Sequence, residues 1–172
     1  MKLRMWMCAG LMMGVSNFAS AQAPNDAQIA AIVVAANQVD IDAGQLAETK
    51  AANADVKAFG KQMVTDHTGV NKQATDLVTK LHVTPEDNPT AQGLKKGGAD
   101  NIAHLKTLSG AAFDKAYVDH EVAYHQQVLD AVDKTLIPNA KNAELKALLV
   151  KVRPAFVAHL EHAKMVQKSL EK

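Results

Sequence analysis

Three of the seven histidines stand where the helical period would turn them into a protein core. His67, His125 and His159 each continue a row of apolar residues whose spacings alternate between three and four, the pattern of one buried helix face. Neutral imidazole is a common ligand of zinc, copper, iron and nickel. The spacing therefore predicts three inward-facing nitrogen ligands, carried by three different helices.

These three histidines are also expected at the same height in the fold. Each lies within about one turn of the midpoint of its predicted helix, and helices of similar length packed side by side bring their midpoints together. A single inward histidine would be an ordinary core residue. Three in one layer leave several buried nitrogens that need partners, and a shared metal ion would supply them.

Carboxylates and a further histidine lie near the same level. Glu121 precedes His125 by one turn, His162 follows His159 by three residues, and Asp42 flanks the apolar face of the first helix. The predicted ligands of a divalent transition metal (iron, zinc, copper or manganese) are His67, Glu121, His125, His159, His162 and Asp42. A mononuclear site, a dinuclear site and a metal-free histidine–carboxylate network all fit this pattern.

The remaining histidines and two neighbouring residues receive other assignments. His120 is expected to face outward, and His82 and His104 are expected in loops or on the surface. Asp66 is expected to be a solvated acid, with orientation of an imidazole as the alternative. Tyr124 is expected to pack in a partly buried position, with hydrogen bonding to a ligand as the alternative.

The elements that position these residues are all helical. No segment shows the strict alternation of a strand, whereas long helical periods run over about 26–52, 55–82 and 111–136 and through Leu145 to Leu170. A shorter helix is expected at about 90–108, after a loop with two prolines, and Pro154 should bend the last helix. The prediction is an all-α four-helix bundle with an extra short helix in the crossover.

The first 21 residues differ from the rest. Lys2 and Arg4 precede a mostly apolar stretch from Met5 to Val15, and small residues follow it, which is the pattern of a cleavable signal peptide. Cleavage is expected after Ala21, which leaves a helical-bundle domain of residues 22–172 in the periplasm or outside the cell. The apolar stretch is shorter than a bilayer span, so an uncleaved anchor is the less favoured alternative.

The composition of the mature chain excludes several classes of function. The only cysteine of the sequence lies in the predicted signal peptide, so disulfides, thiolate metal sites and a cysteine nucleophile are excluded in the mature chain. It has 17 basic and 18 acidic residues without a basic cluster, so a nucleic-acid partner is not expected. No mature segment has the length and apolarity of a transmembrane helix, and no nucleotide-binding loop or serine nucleophile motif is present.

Several short motifs together resemble the family called domain of unknown function 4142. The residues that carry the resemblance are Asp40 to Gly44, Val56 to Phe59, Met63 to His67, Asn71, Tyr117 to Asp119, Tyr124 to Gln126 and His159 to Ala163. The resemblance covers nearly all of the mature chain and implies an exported, ferritin-like helical bundle. It implies no particular activity, since a fold alone does not confer one.

Three kinds of function remain open from the sequence. The first is metal binding in the envelope, either as a storage or buffering protein or as a redox enzyme. The second is a non-enzymatic stress or structural protein that contacts an envelope partner and keeps a metal-free, pH-sensitive histidine core. The third is the binding of an apolar ligand between the helices. The sequence does not fix the oligomeric state.

Overall fold

The computed structural model describes residues 23–171, and all regular structure in that range is helical. The predicted signal peptide and its cleavage site lie outside the described residues. The helices are α1 (Asp26–Lys50), α2 (Ala54–Lys80), α3 (Pro89–Thr107), α4 (Gly110–Ala131), a π-helical turn (Val132–Leu136), α5 (Ile137–Asn139) and α6 (Ala143–Ser169). The predicted all-α fold is confirmed.

Asparagine caps fix the beginnings of four helices. The side chains of Asn25, Asn53, Asn88 and Asn142 accept hydrogen bonds from backbone N–H groups in the first turns of α1, α2, α3 and α6. A cap of this kind satisfies N–H groups that have no partner inside the helix. Each helix therefore begins at a position that its own sequence specifies, which also sets the height of the side chains along it.

The bundle consists of α1, α2, α6 and α4, and α3 lies outside it. In the ring formed by these four helices α1 contacts α2, α2 contacts α6, α6 contacts α4 and α4 contacts α1, while α3 covers α1 and α4. The carboxylate of Asp26 accepts two backbone N–H groups just before α6, and that of Asp114 accepts two in the turn between α1 and α2. These contacts place the start of α1 beside the start of α6, and the start of α4 beside the end of α1, so neighbouring bundle helices are antiparallel.

Glycines allow α1 to approach two neighbours closely. A Cβ atom added to Gly44 would lie 2.6 Å from the carbonyl oxygen of Gly60, and one added to Gly60 would lie 2.8 Å from Ala47. On the opposite side, a Cβ on Gly98 of α3 would lie 2.8 Å from Val39. Because α1 is covered by α2, α3 and α4, it is buried over most of its circumference.

The core has two apolar halves with a polar layer between them. The lower cluster surrounds the start of α1 and includes Ile29, Leu129 and Leu149, and the upper cluster surrounds its end and includes Phe59 and Phe113. The polar layer consists of six buried residues between the clusters: Asn37, Asp40, His67, Glu121, His125 and His159. Each bundle helix contributes at least one of them.

Two details of the helix ends concern proline. Residues 137–139 form the single turn α5, and a π-helical turn joins it to α4. Pro138 has no N–H to donate to the preceding turn, so one hydrogen bond of the regular α-helical pattern is missing there. Pro154 lies inside α6, which continues without a break, as predicted. No helix within residues 23–171 is both long and apolar enough to cross a membrane.

Candidate metal centre

Three imidazole rings meet at the centre of the polar layer. The ring centroids of His67 and His159 lie 5.1 Å apart, those of His125 and His159 5.5 Å apart, and those of His67 and His125 5.6 Å apart. One nitrogen from each ring lies within 4.8 Å of the nitrogens of the other two. All three residues are at most 2% exposed. The sequence predicted this convergence from the three apolar seams.

His67 is held in place by α1 and α6. Its Nδ1–H donates to Oδ1 of Asn37 at 2.7 Å, and the amide nitrogen of Asn37 donates to the carbonyl of Val33, which fixes the orientation of that amide. The ring also stacks on Phe156, with 5.4 Å between centroids and planes 8° apart. Because an amide oxygen can only accept, the proton is on Nδ1 and the lone pair is on Nε2.

His125 is oriented by its own helix. Its Nδ1–H donates to the backbone carbonyl of Glu121 at 3.0 Å, and the Glu121 carboxylate lies 3.5 Å from the same nitrogen. The spacing of four residues places this carbonyl directly beside the ring. The lone pair of His125 is therefore on Nε2, as in His67.

His159 is oriented by an acid on the neighbouring helix. Its Nε2–H donates to the carboxylate of Asp66 at 2.9 Å, and the side chain of Asp66 is 41% exposed. Asp66, expected mainly as a solvated acid, thus takes the alternative assignment and contacts an imidazole on another helix. A carboxylate that accepts from the distal nitrogen fixes the tautomer of a histidine and raises its basicity as a ligand.

The three remaining nitrogens have no hydrogen-bond partner. His67 Nε2, His125 Nε2 and His159 Nδ1 are buried and unpaired, and the opposite nitrogen of each ring is the protonated one. Buried polar atoms are normally paired, and three lone pairs cannot pair with one another. With metal–nitrogen bonds of about 2.0 to 2.1 Å, two ligands of one ion are at most ~4.2 Å apart. The three rings bring one nitrogen each to within 4.8 Å of the others, which is close to that limit.

Two buried carboxylates adjoin the three rings. Asp40 is 2% exposed and Glu121 is not exposed, and one ligand atom from each lies within 4.8 Å of a nitrogen of His125. Both oxygens of Glu121 and Oδ1 of Asp40 are buried without a hydrogen-bond donor. Among the basic side chains of the described residues, only histidines lie within 4.0 Å of these carboxylates, so no lysine or arginine compensates their charge there.

Burial controls the protonation of this layer. It lowers the pKa of His67 to about 2, aided by the nearby His125 and His159, and it also lowers the pKa of those two histidines. Burial raises the pKa of Asp40 well above its usual value, and the charge of Glu121 adds to that shift. The three imidazoles are therefore neutral at pH 7, which is the form that binds a metal.

Two predicted ligands lie away from the three rings. Asp42 is exposed and accepts from Gln38 at 2.7 Å on the rim of a groove of about 740 Å³ between α1 and α3. His162 is half-buried, contacts the edge of Phe59, and pairs through Nδ1 with Gln62 at 2.9 Å. Neither belongs to the two groups of buried ligand atoms.

The sequence prediction missed Asp40 and Asn37. Both lie four or three residues from buried apolar positions of α1, but buried residues surround most of this helix, so its period alone does not single them out. They were overlooked because a charged or amide side chain on a helix normally marks the solvent side. The surface prediction for His82 and His104 is confirmed, whereas His120 is half-buried rather than outward-facing.

Comparisons with known proteins agree with this fold. The family model described as domain of unknown function (DUF4142) matches residues 14–166, which confirms the resemblance seen in the sequence. A solved structure described as "CopM in the Cu(II)-bound form" aligns with a TM-score of 0.67 and 15% identity, covering 86% of this chain and 99% of the other. At that identity the similarity concerns the fold. No curated protein matches the chain.

Proposed function

The chain belongs to the DUF4142 family, and we propose that it binds one transition-metal ion in its polar layer through His67, His125 and His159. The observation that carries the proposal is the set of three buried lone pairs that face no donor. Each ring is held by a separate acceptor, so the three lone pairs are present before any metal arrives. A preorganised set of donors of this kind lowers the cost of binding.

The adjoining carboxylates support the same assignment. Asp40 and Glu121 are buried without a nearby lysine or arginine, and a divalent cation would balance their charge. A buried carboxylate without a cation is strongly unfavourable, which is why the pKa of Asp40 is raised in the metal-free protein. One of the two is well placed to add an oxygen ligand on the side of His125.

Copper is the ion that we expect to bind most tightly. Among the divalent first-row metals, a site of nitrogen ligands generally has its highest affinity for Cu²⁺. Imidazole is also a suitable ligand for zinc and iron. The solved structure with the same fold is described as Cu(II)-bound, which makes copper the first metal to test. Manganese prefers oxygen ligands, so it is the weakest of the four candidates for three imidazoles.

The proposed role is copper binding or buffering in the bacterial envelope. It combines the buried histidine site with the signal peptide predicted for residues 1–21. The site is closed to solvent, with each ring at most 2% exposed. A closed site favours retention of the ion over turnover of a large substrate.

Metal content and affinity test the proposal. The mature protein would be purified without a tag, stripped with a chelator, and titrated with Cu²⁺, Zn²⁺ and Fe²⁺ beside His125→Ala, His159→Ala and the surface control His104→Ala. We expect one equivalent of tightly bound copper in the wild type and in the His104 variant, and its loss in the other two. Circular dichroism would show that those variants still fold.

The opposite result favours the metal-free alternative. If the folded wild-type protein takes up no metal, or if both core variants bind as tightly as the wild type, the three imidazoles are a structural, pH-sensitive core. A role in contacting an envelope partner would then be the better account.

A further inference from the structure

The three imidazoles are buried, so an ion must pass other side chains to reach them. The layer is bounded above and below by the two apolar clusters. This leaves the sides of the bundle, where the interfaces between helices reach the surface. Two of those sides carry polar groups that connect the surface to the layer, and they differ in what they offer to a cation.

The first side is a cleft between α3 and α4. Its volume is about 440 Å³, and its lining includes Gly93, Gly97, His120, Tyr124 and Gln127. A Cβ atom added to Gly93 or Gly97 would meet no atom within 4 Å, so the α3 wall is open at these positions. The glycines leave His120 accessible from the cleft, with 26% of its side chain exposed.

His120 connects this cleft to the polar layer. Its Nδ1 is buried without a hydrogen-bond partner and lies 3.9 Å from Oε1 of Glu121. The other oxygen of Glu121 lies 3.5 Å from His125. The ring of His120 stacks on Tyr124, with 5.5 Å between centroids, and the Tyr124 hydroxyl donates to the carbonyl of Ala36. Unpaired ligand atoms of His120 and Glu121 thus lead from the cleft to the polar layer, where they meet the Nδ1–H edge of His125.

The second side, between α2 and α6, offers no comparable series. The exposed carboxylate of Asp66 there accepts from Nε2–H of His159. A cation arriving from either side meets the protonated edge of a ring, but here the carboxylate in front of it is already hydrogen-bonded, whereas both oxygens of Glu121 have no partner. His162 beside it is already paired with Gln62.

We propose that metal ions reach the core through the α3–α4 cleft, with His120 as the first protein ligand and Glu121 as the second. The ion exchanges water for the His120 imidazole, then for the Glu121 carboxylate, and then for the three inner nitrogens. This inference rests on the proposed metal site and adds its access route. His120 is a transit ligand, so it affects how fast the ion moves and not how tightly the final site holds it.

Stopped-flow copper loading of the chelator-stripped protein tests this route. In His120→Ala we expect association and dissociation each to slow by about tenfold, equivalent to about 1.4 kcal/mol in the barrier, with the equilibrium affinity unchanged. Gly97→Leu fills the cleft but keeps the His120 imidazole, and it should slow both rates in the same way. The matched controls are His104→Ala on the outer surface of α3 and Gly69→Leu, where an added side chain also meets open space.

Several outcomes would overturn the route. Equal loading rates for the wild type and both cleft variants would place the access elsewhere, and slower loading in Asp66→Asn alone would place it between α2 and α6. A weaker equilibrium affinity in His120→Ala would make His120 a ligand of the final site. A wild-type protein that binds no copper would instead remove the proposed function itself, so the two failures are distinguishable.

Discussion

The two apolar clusters and the polar layer between them differ in the kind of side chain that they bury. The clusters bury mainly apolar side chains such as Phe59, Phe113 and Leu149, which have no polar atom to satisfy, and they supply the hydrophobic driving force for the bundle. The polar layer buries three imidazoles and two carboxylates, several of whose atoms have no partner. Such groups destabilise a core unless they are paired, so their presence in the middle of this one points to a binding role.

The two kinds of region also differ in how their side chains are held in place. In the clusters, side chains fill space, and substitutions of similar size and shape are usually tolerated. In the layer, each imidazole has its own acceptor: Asn37 for His67, a backbone carbonyl for His125 and Asp66 for His159. We therefore expect that stability and metal affinity can be changed separately in this molecule.

The largest effect on stability is expected in the upper cluster. Phe59 is fully buried and contacts Tyr117 and His162, so Phe59→Ala should lower the free energy of unfolding by about 3 to 5 kcal/mol. Urea denaturation monitored by circular dichroism measures the change. At temperatures where the variant is folded, its copper stoichiometry should equal that of the wild type. Loss of copper from the folded variant would show that the two regions are not independent.

The polar layer should make the metal-free protein sensitive to acid. The pKa of His67 is lowered to about 2, so the folded protein keeps this ring neutral while the unfolded chain takes up a proton below pH ~6.5. Its contribution to stability is full above that pH and is lost as the pH falls, at up to ~1.4 kcal/mol per pH unit. Between pH 7 and pH 5, we expect the free energy of unfolding to fall by about 2 kcal/mol through His67 alone, as measured by urea denaturation.

Asp40 opposes this trend and provides a check on it. Its pKa is raised, so the folded protein holds the extra proton, and its contribution to stability increases as the pH falls. The three histidines together destabilise the folded protein at low pH by more than Asp40 stabilises it. Asp40→Asn removes the stabilising contribution, so the free energy of unfolding should fall more steeply with decreasing pH. A stability that is flat from pH 7 to pH 5, or a shallower slope in Asp40→Asn, would contradict the protonation states assigned to the layer.

A smaller effect is expected where the layer meets the surface. Asp66→Asn weakens the acceptor that orients His159 but leaves the three lone-pair nitrogens in place. We expect copper affinity to fall by about 10- to 100-fold, as for other acids that orient metal-bound histidines. Competition with a chelator of known affinity measures this. An unchanged affinity would mean that Asp66 is only a solvated acid, and a complete loss would mean that it is itself a ligand.

The smallest effect is expected at Asp42. It was a predicted ligand, but its exposed carboxylate pairs with Gln38 and lies in neither group of buried ligand atoms. Asp42→Asn should therefore leave copper affinity and stability within experimental error, in the same competition and urea assays. A marked loss of affinity would show that α1 contributes Asp42 rather than Asp40 to the site.

The sequence was sufficient to predict the main helices and the inward-facing positions of the three central histidines. Because α2, α4 and α6 have distinct apolar seams, a histidine in the seam could be assigned to the core and to a height. The acid on α1 could not be chosen in the same way. Since α3 covers the side of α1 that a simple bundle would leave exposed, buried residues surround most of α1. Its period therefore does not distinguish Asp40, which faces the polar layer, from Asp42, which lies at the edge of the groove between α1 and α3.

The partners of the imidazoles were harder to predict than the imidazoles themselves. Asp66 and His159 are 93 residues apart in the chain, and their contact depends on how α2 and α6 pack. The half-buried position of His120 depends in the same way on α3, which carries glycines where it passes over that residue. Contacts between helices that are distant in sequence leave no periodic signal within either helix.

X-ray absorption at the copper edge of the loaded protein would test directly whether His67, His125 and His159 bind the ion. We expect one copper ion with three imidazole nitrogens at about 2.0 Å, and a loss of imidazole scattering in His125→Ala. A copper environment of oxygen ligands alone, or one that is unchanged in His125→Ala, would contradict a metal site at the centre of the bundle.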